Sequence, residues 1–479
     1  MTALPPNHFL ALPRPDVELG PPAGVVDTTT LAAHDFDVDT RTGFMPPQPP
    51  LARLPDQWAP WEDAFAAAQS HRFQLGRKSN ITDAEKAQSE AWRAHVRQLP
   101  TLPTTGLLRS ELLLRRAHHV LSWTMHFYVH SLPPDAPIRI PAPITVPLLQ
   151  VSHHLQLPPV VTYSDDVLYN WALLRPQPPT EPAPALDNLR TLSSFTGTRD
   201  EAEFYLTSAR IELRGVAALE VMRATLDELF VGDAIARARI TRYMHALAGV
   251  IDELAALLVR VREGCEPETF YRDIRPWFNG VDSDAGARGK WVFEGLDENP
   301  EISAPTELSG PSAGQSSIVH ALDIFLGVDH YSHASALTGH GPAAAAPSSA
   351  PKVSFLDRMQ VYMPRHHRNF LRHLSTRPRS LRSLIEEQHV DDPELIVSYN
   401  AAVAALKRFR DAHMRIVALY IIGPARRLAA SEAQASSSAQ EDGGKAPLKG
   451  TGGTDLVRFL KDVRDNTVDA LVDVGVNAS

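Results

Sequence analysis

One cysteine, Cys265, stands in a chain of 479 residues. A lone thiol excludes an internal disulfide and any zinc or iron–sulfur centre built on several thiolates. Long apolar runs are missing too: nothing approaches the roughly 18 residues that a membrane helix needs. The opening stretch, MTALPPNHFLALPRP, has neither the charged segment nor the sustained apolar run of a secretory signal. A cytoplasmic protein without a membrane partner is the expectation. There is also no basic stripe. Forty-seven Lys and Arg face 56 Asp and Glu, a net charge of −9 with both signs mixed along the chain, which argues against nucleic acid as a partner. The familiar catalytic signatures are absent: no GxSxG, no GxxxxGK[ST], no HExxH, no HxE followed by CxxC. GTGGT at 450–454 resembles part of a phosphate loop, but no strand precedes it. It reads better as a glycine-rich closing loop.

What is present reads as helix. Strand alternation is rare, whereas apolar residues recur three, four and seven apart through most of the chain, and the expected fold class is all-α. The length exceeds what one core usually organises. The predicted division is a proline-rich arm over 1–60, a small helical domain over 61–190 and a large helical domain over 191–479. Segments 333–351 and 429–448 are polar, low-complexity insertions expected to be disordered. Thr82 with Glu85, and Thr198 with Glu201, are spaced as capping boxes. Helices are predicted over 105–130, from Ser164 or Asp165 onward, over 198–232, 233–263 and 316–327, and from Pro267 until Pro276 kinks or ends it. The prolines between 131 and 161 suggest irregular chain, with a short helix at 148–155. His118 and His119 diverge by about 100° on a helix and cannot grip one metal together; they read as surface and boundary residues.

The most informative helix opens at Asp392, a natural N-cap followed by Pro393 and Glu394, and is predicted to stop at Gly423–Pro424. Its apolar stripe runs Val403, Leu406, Phe409, Ile416, Val417 and Tyr420. Arg410 and His413 share that face. A buried Arg needs an anion and a buried His needs a partner for each nitrogen. A salt bridge and a hydrogen-bonded core histidine would answer both needs. So would a haem, with iron on the imidazole and a propionate on the guanidinium. Elsewhere Phe204, Ser208, Ile211 and Gly215 share a helix face that could admit a flat object. Phe270 and Tyr271 lie one turn before Arg275, a pattern able to pack an aromatic body and fork a carboxylate. By themselves Phe204 and Phe270 read first as ordinary core, and Arg275 could equally be a surface residue.

Seven stretches, in order, resemble the indoleamine 2,3-dioxygenase family: LPPVVTYSDDVLYNW (157–171), SFTG…FYLTS (194–208), FYRDIRPWFNG (270–280), SGPSAGQSSIVHALDIFLG (309–327), YMPRHHRNFL (362–371), FRDAHMRIVALYI (409–421) and KGTGGTDLVRFLKDVR (449–464). The resemblance implies haem b held in the large domain, with His413 as the iron ligand, Arg410 on a propionate and Asp323 bracing it. Ser312, Ala313 and Gly314 would line the haem edge. Tyr163, Phe204 and Ser208 would surround an indole, with Phe270 and Tyr271 nearby, Arg275 on the substrate carboxylate and Thr451 closing over the amino-acid end. No side chain is implied as acid or base. The implied reaction is cleavage of L-tryptophan, or a related indoleamine, by dioxygen to N-formylkynurenine. That opens the kynurenine route to NAD and calls for an electron donor to reduce the haem. A monomer is expected. Four residues depart from the family pattern: Asp166, where a small, less polar residue is common, Pro276, Phe278 and Pro311. Two other readings stay open, a non-catalytic haem and oxygen carrier or a dioxygenase for another indoleamine. A scaffold using the insertions has only their composition behind it.

Overall fold

Capping residues and apolar spacing set the helices, and helices supply nearly all the regular structure of this all-α protein. The computed structural model describes residues 36–176, 183–281, 290–328, 355–377, 380–388, 391–435, 450 and 456–473. In chain order the longer helices are α1 (Ala59–His71), α2 (Asp83–Gln98), α3 (Glu111–His130), α4 (Ala142–Leu155), α5 (Arg199–Val231), α6 (Ala234–Val259), α7 (Ser317–Phe325), α8 (Arg365–Ser375), α9 (Leu381–Glu387), α10 (Pro393–Val417), α11 (Gly423–Ala435) and α12 (Leu456–Asp469). Strands are two residues long. β1 (Arg139–Ile140) pairs in parallel with β4 (Val292–Phe293), and β2 (Ala172–Leu173) pairs antiparallel with β3 (Leu189–Arg190).

Two large cores organise these helices. The first surrounds α3, which is buried on every side from Leu114 to His130. Its centre is a stack of rings, Trp123 on Phe195 at 4.1 Å and Phe195 on Trp277 at 5.3 Å. The second lies where α5 and α10 pack on α6, with Met244, Leu247, Ile251, Val403 and Leu406 inside. Gly215 is the contact point of α5 with α7: a Cβ there would meet Ile318 at 2.8 Å. That corrects the expectation that Gly215 opens the helix to a flat ligand, because Ile318 takes the space.

Several predicted boundaries hold. Thr82 and Glu85 form a reciprocal capping box, Gly232 ends α5 with φ +72°, and Asp392 caps α10 by accepting from the Leu395 N–H. Others change, each for a local reason. The Thr198 box is half made. Thr198 accepts from the Glu201 N–H, while the Glu201 carboxylate is drawn inward to the N–H groups of Phe195 and Thr196 and the Tyr205 hydroxyl. The chain does not stop at Gly423–Pro424. A π-turn, Ala418–Ile422, leads directly into α11, so Pro424 falls in a first turn, where its missing N–H breaks no ladder. As a consequence residues 429–435, placed in a disordered insertion by composition, are helical. Segment 333–351 lies outside the described residues. Helix α4 begins at Ala142 rather than 148, with Pro143 in its first turn and Pro147 inside. The helix expected from Ser164 is only a π-turn, Ser164–Leu168. His118 and His119 are not at a boundary. Both are buried, because α3 has no exposed face beyond its first turn.

Candidate active site

Helix α10 carries the polar pair that its apolar stripe left unexplained. Arg410 is buried, and its guanidinium donates to the Asp323 carboxylate of α7 at 2.5 Å and to the Thr467 hydroxyl of α12. One turn before Asp323, His320 places Nε2 at 2.8 Å from the Gly314 carbonyl. Helix α7 therefore holds two things in register, the small-residue loop Ser312–Gly314 through His320 and the α10 arginine through Asp323. Within the loop, Ser312 and Gly314 are half-buried and Ala313 is exposed, so all three keep accessible surface.

His413 lies one turn beyond Arg410 and is only half-buried. Burial nevertheless pushes its pKa down to about 4, so the ring is neutral near pH 7. Neither nitrogen meets a hydrogen-bond partner among the described residues. The ring is thus half-enclosed, neutral and still accessible on α10. Arg275 is likewise half-buried. Burial lowers its guanidinium pKa, part of the side chain stays accessible, and the Tyr271 ring lies 5.8 Å from it. Among the described residues no group of three His, Cys, Asp or Glu side chains could hold a bare metal ion.

Aromatic side chains build another wall. Phe204 of α5 packs on Phe270 at 4.5 Å and on Phe278 at 5.9 Å, and Phe270 meets Tyr420 at 5.8 Å. Tyr420 lies two turns beyond His413, so this ring cluster reaches the histidine's own stretch of chain. Ser208 sits half-buried one turn after Phe204. Phe278 is fixed by a backbone crossing. The Val281 N–H donates to the Leu308 carbonyl at 2.9 Å, and a Cβ on Gly310 would lie 1.8 Å from the Phe278 carbonyl oxygen. Glycine at 310 is what lets the Phe278 segment and the Ser309–Ser312 segment touch.

Tyr163 is buried and its hydroxyl donates to Glu212 at 2.9 Å, while Ser316 donates to the same oxygen at 2.7 Å. Its backbone N–H donates to Gln315, whose amide donates in turn to the Gly310 carbonyl. Glu212 is one turn beyond Ser208, so α5, the Tyr163 turn and the small-residue loop meet in one buried knot. Burial raises the Glu212 pKa to about 7. Beside Tyr163, Asp165 pairs with His118 at 2.9 Å and takes the Thr162 N–H and hydroxyl. Asp166 is buried, and burial together with Asp165 raises its pKa well above the usual carboxylate range. Pro311 is buried between these elements. Thr451 lies outside the described residues.

The predicted positions thus fall into three linked groups: Arg410–Asp323 with Ser312–Gly314 through α7, Phe204–Phe270–Phe278 on the aromatic wall, and Tyr163 tied to Glu212. The profile of the family described as indoleamine 2,3-dioxygenase matches residues 32–470. The chain belongs to the indoleamine 2,3-dioxygenase family. It is 32% identical over 457 residues to indoleamine 2,3-dioxygenase acdA of Aspergillus candidus, covering 93% of this chain and 98% of that one. It is 30% identical over 440 residues to indoleamine 2,3-dioxygenase 1 of Mus musculus, covering 92% and 95%. A further relative, 29% identical over 450 residues and covering 93% and 99%, is 6-hydroxytryptophan 2,3-dioxygenase fscD of Fusarium equiseti. As a member of the indoleamine 2,3-dioxygenase family, the chain is an oxidoreductase acting on an indole amine. No helix among the described residues is long and apolar enough to cross a membrane.

Sequence reasoning passed over Glu212, Gln315, His320 and Thr467. Two were detectable. Glu212 continues the Phe204–Ser208 face at a spacing of four, and His320 shares a face with Asp323 at a spacing of three. Gln315 and Thr467 gain their meaning only from partners 152 and 57 residues away.

Proposed function

We propose that this chain is a haem-dependent dioxygenase that cleaves the pyrrole C2–C3 bond of L-tryptophan, or of a close indole amino acid, to give N-formylkynurenine. The observation that carries the reading is His413, a neutral imidazole with accessible surface and no hydrogen-bond partner among the described residues. An iron already held by four ring nitrogens takes one such ligand from the protein. The residues around it fit a porphyrin: small side chains at Ser312–Gly314 leave room at its edge, and Arg410, held by Asp323 and Thr467, supplies charge for a propionate.

When bound, haem supplies the iron chemistry by which dioxygen reacts with an indole. Both oxygen atoms enter the product as two new carbonyl groups while the C2=C3 double bond breaks completely, so turnover needs no further electrons. An electron donor is needed only to keep the haem reduced. The chain's own part is to bind, orient and dry. Phe204, Phe270 and Phe278 present an apolar face for the indole ring and keep water out, while Tyr163 and Ser208 border it. Arg275, with Tyr271 beside it, takes the substrate carboxylate. None of these distal groups is a base poised near neutral pH, in keeping with a reaction in which the protein positions rather than transfers protons. The place of action is the cytosol, and the product feeds the kynurenine route.

The test uses the haem-loaded protein, reduced and mixed with L-tryptophan in air over a wide concentration range. N-formylkynurenine absorbance should rise with time. Haem binding without product from any indole amino acid would sink the reading in favour of oxygen carriage.

A further inference from the structure

One carboxyl ties together the segments that meet around the Tyr163 turn. Glu212 of α5 is 1% exposed, and a single oxygen, Oε1, accepts from the Tyr163 hydroxyl at 2.9 Å and from the Ser316 hydroxyl at 2.7 Å. The two donors reach further. The Tyr163 N–H donates to Gln315 at 2.8 Å, and the Gln315 amide donates to the carbonyl of Gly310 at 2.9 Å, the glycine that touches the Phe278 backbone. Ser316 is the N-cap residue of α7 and follows directly on the small-residue loop. Ser208 lies one turn before Glu212 on α5, and Phe204 one turn before that. The hydroxyl pair therefore fastens the Tyr163 turn and the loop to the helix that carries the aromatic wall.

The other oxygen is unused: Oε2 is buried with no hydrogen-bond partner among the described residues. That asymmetry makes the fastening depend on charge. A carboxylate oxygen accepts two hydroxyls well, and charge-assisted bonds are about twice as strong as neutral ones. In the acid form the added proton is badly placed. On Oε2 it is a buried donor without an acceptor, and on Oε1 it displaces one of the hydroxyls. Charged groups on the surrounding elements are engaged elsewhere: Asp165 with His118, Asp323 with Arg410, His320 with the Gly314 carbonyl, Glu201 with Tyr205, and Asp39 with Arg41 in the turn whose Gly43 packs on α5. Asp166 acts on the Tyr163 hydroxyl and not on Glu212. Burial raises the Glu212 pKa to about 7 against the two hydroxyls, which favour the ionised form.

We infer that Glu212 is a positioning residue for substrate binding: ionised, it fastens Tyr163 and the loop ahead of α7 to α5, and its protonation releases one of those bonds and weakens the hold on the substrate. The inference rests on the dioxygenase reading above and deepens it, since Tyr163, Ser208 and that loop are the walls assigned there to the indole and the haem edge. Glu212 acts through them.

The experiment measures kcat and KM for L-tryptophan on the haem-loaded protein from roughly pH 5 to 9. Calorimetric titration of L-tryptophan into the oxidised holoprotein over the same range reads affinity without turnover. The proteins are the wild type, Glu212→Gln and Tyr163→Phe. Wild-type KM and calorimetric Kd are expected to fall about fivefold as pH rises through about 7, with kcat unchanged across that step. Glu212→Gln, neutral at every pH, should show no step and keep the weaker, low-pH affinity throughout. Tyr163→Phe removes one of the two hydroxyls that favour the ionised form, so its step should lie at higher pH, a shift that lost packing would not produce. Should Glu212→Gln not fold, the position of the Tyr163→Phe step decides. A wild-type affinity flat across the range, a step that survives in Glu212→Gln, a Gln variant with the wild type's high-pH affinity, or a Tyr163→Phe step at the wild-type pH would each overturn the inference and leave the dioxygenase reading standing. Absence of N-formylkynurenine from the wild type at every pH would overturn both.

Discussion

The two sides of the candidate site treat buried charge in opposite ways. Around α10 it is satisfied: Arg410 meets Asp323 and Thr467, and His320 secures the loop that faces them. Around the Tyr163 turn Asp165 is satisfied, by His118 and Thr162, but its neighbours are not fully so. Asp166 Oδ1 and Glu212 Oε2 are both buried without a hydrogen-bond partner among the described residues. Satisfied groups make a rigid frame, since each is worth more paired than solvated. Burial pushes the Asp166 and Glu212 carboxyls toward the protonated form. The difference suggests a frame on the His413 side that changes little and a wall on the other side where binding energy is spent.

Substitutions on each side can break that comparison. His413→Ala has the largest expected effect: no stable haem Soret band, and activity down by more than about a hundredfold, beyond what loss of an outer-shell partner costs. In the unsubstituted protein, proton competition for the imidazole should weaken haem retention only as pH approaches about 4, since that is where the folded ring titrates. Asp323→Ala leaves Arg410 buried and unpaired. It should cost about 3–5 kcal/mol in urea unfolding of the apoprotein, and a cost under 1 kcal/mol would end the idea of a rigid frame. Arg275→Ala should raise KM for tryptophan about 10–100-fold with a smaller change in kcat, and Arg275→Lys should recover only part of the loss.

Glu212→Gln probes the opposite wall through pH. The folded carboxyl is raised from 4.5 to about 7 by burial, so its contribution to stability is complete below pH 4.5 and is lost as pH rises through 7. Wild type should lose on the order of 2 kcal/mol between pH 5 and 7 that the Gln variant does not lose. Parallel pH–stability curves would contradict it. Tyr163→Phe is the mildest change, removing one donor to Glu212 for about 1 kcal/mol. It should also push the Glu212 titration further upward, because that hydrogen bond favours the ionised form.

Much of the frame was legible in the sequence, since helix periodicity and caps are local. The Asp392 cap, the Gly232 stop and the shared face of Arg410 and His413 follow from residues within a few turns of each other. The errors share a cause as well. Gly423–Pro424 reads as a stop unless a π-turn re-registers the helix, and His118–His119 read as surface unless α3 is known to be surrounded. Both depend on what packs against the element, which a local pattern does not contain.

By itself, then, the sequence determined the all-α class, the helix that bears His413, the polar pair on its buried stripe and, through ordered motifs, the family. The tertiary structure alone decided which polar groups have partners. Asp165 and Asp166 are neighbours with the same side chain, yet one is bonded to His118 and Thr162 and the other has an oxygen without a partner among the described residues. Hydrogen bonding is short-ranged and directional, so the distinction arises only when segments far apart in the chain come within about 3 Å of one another.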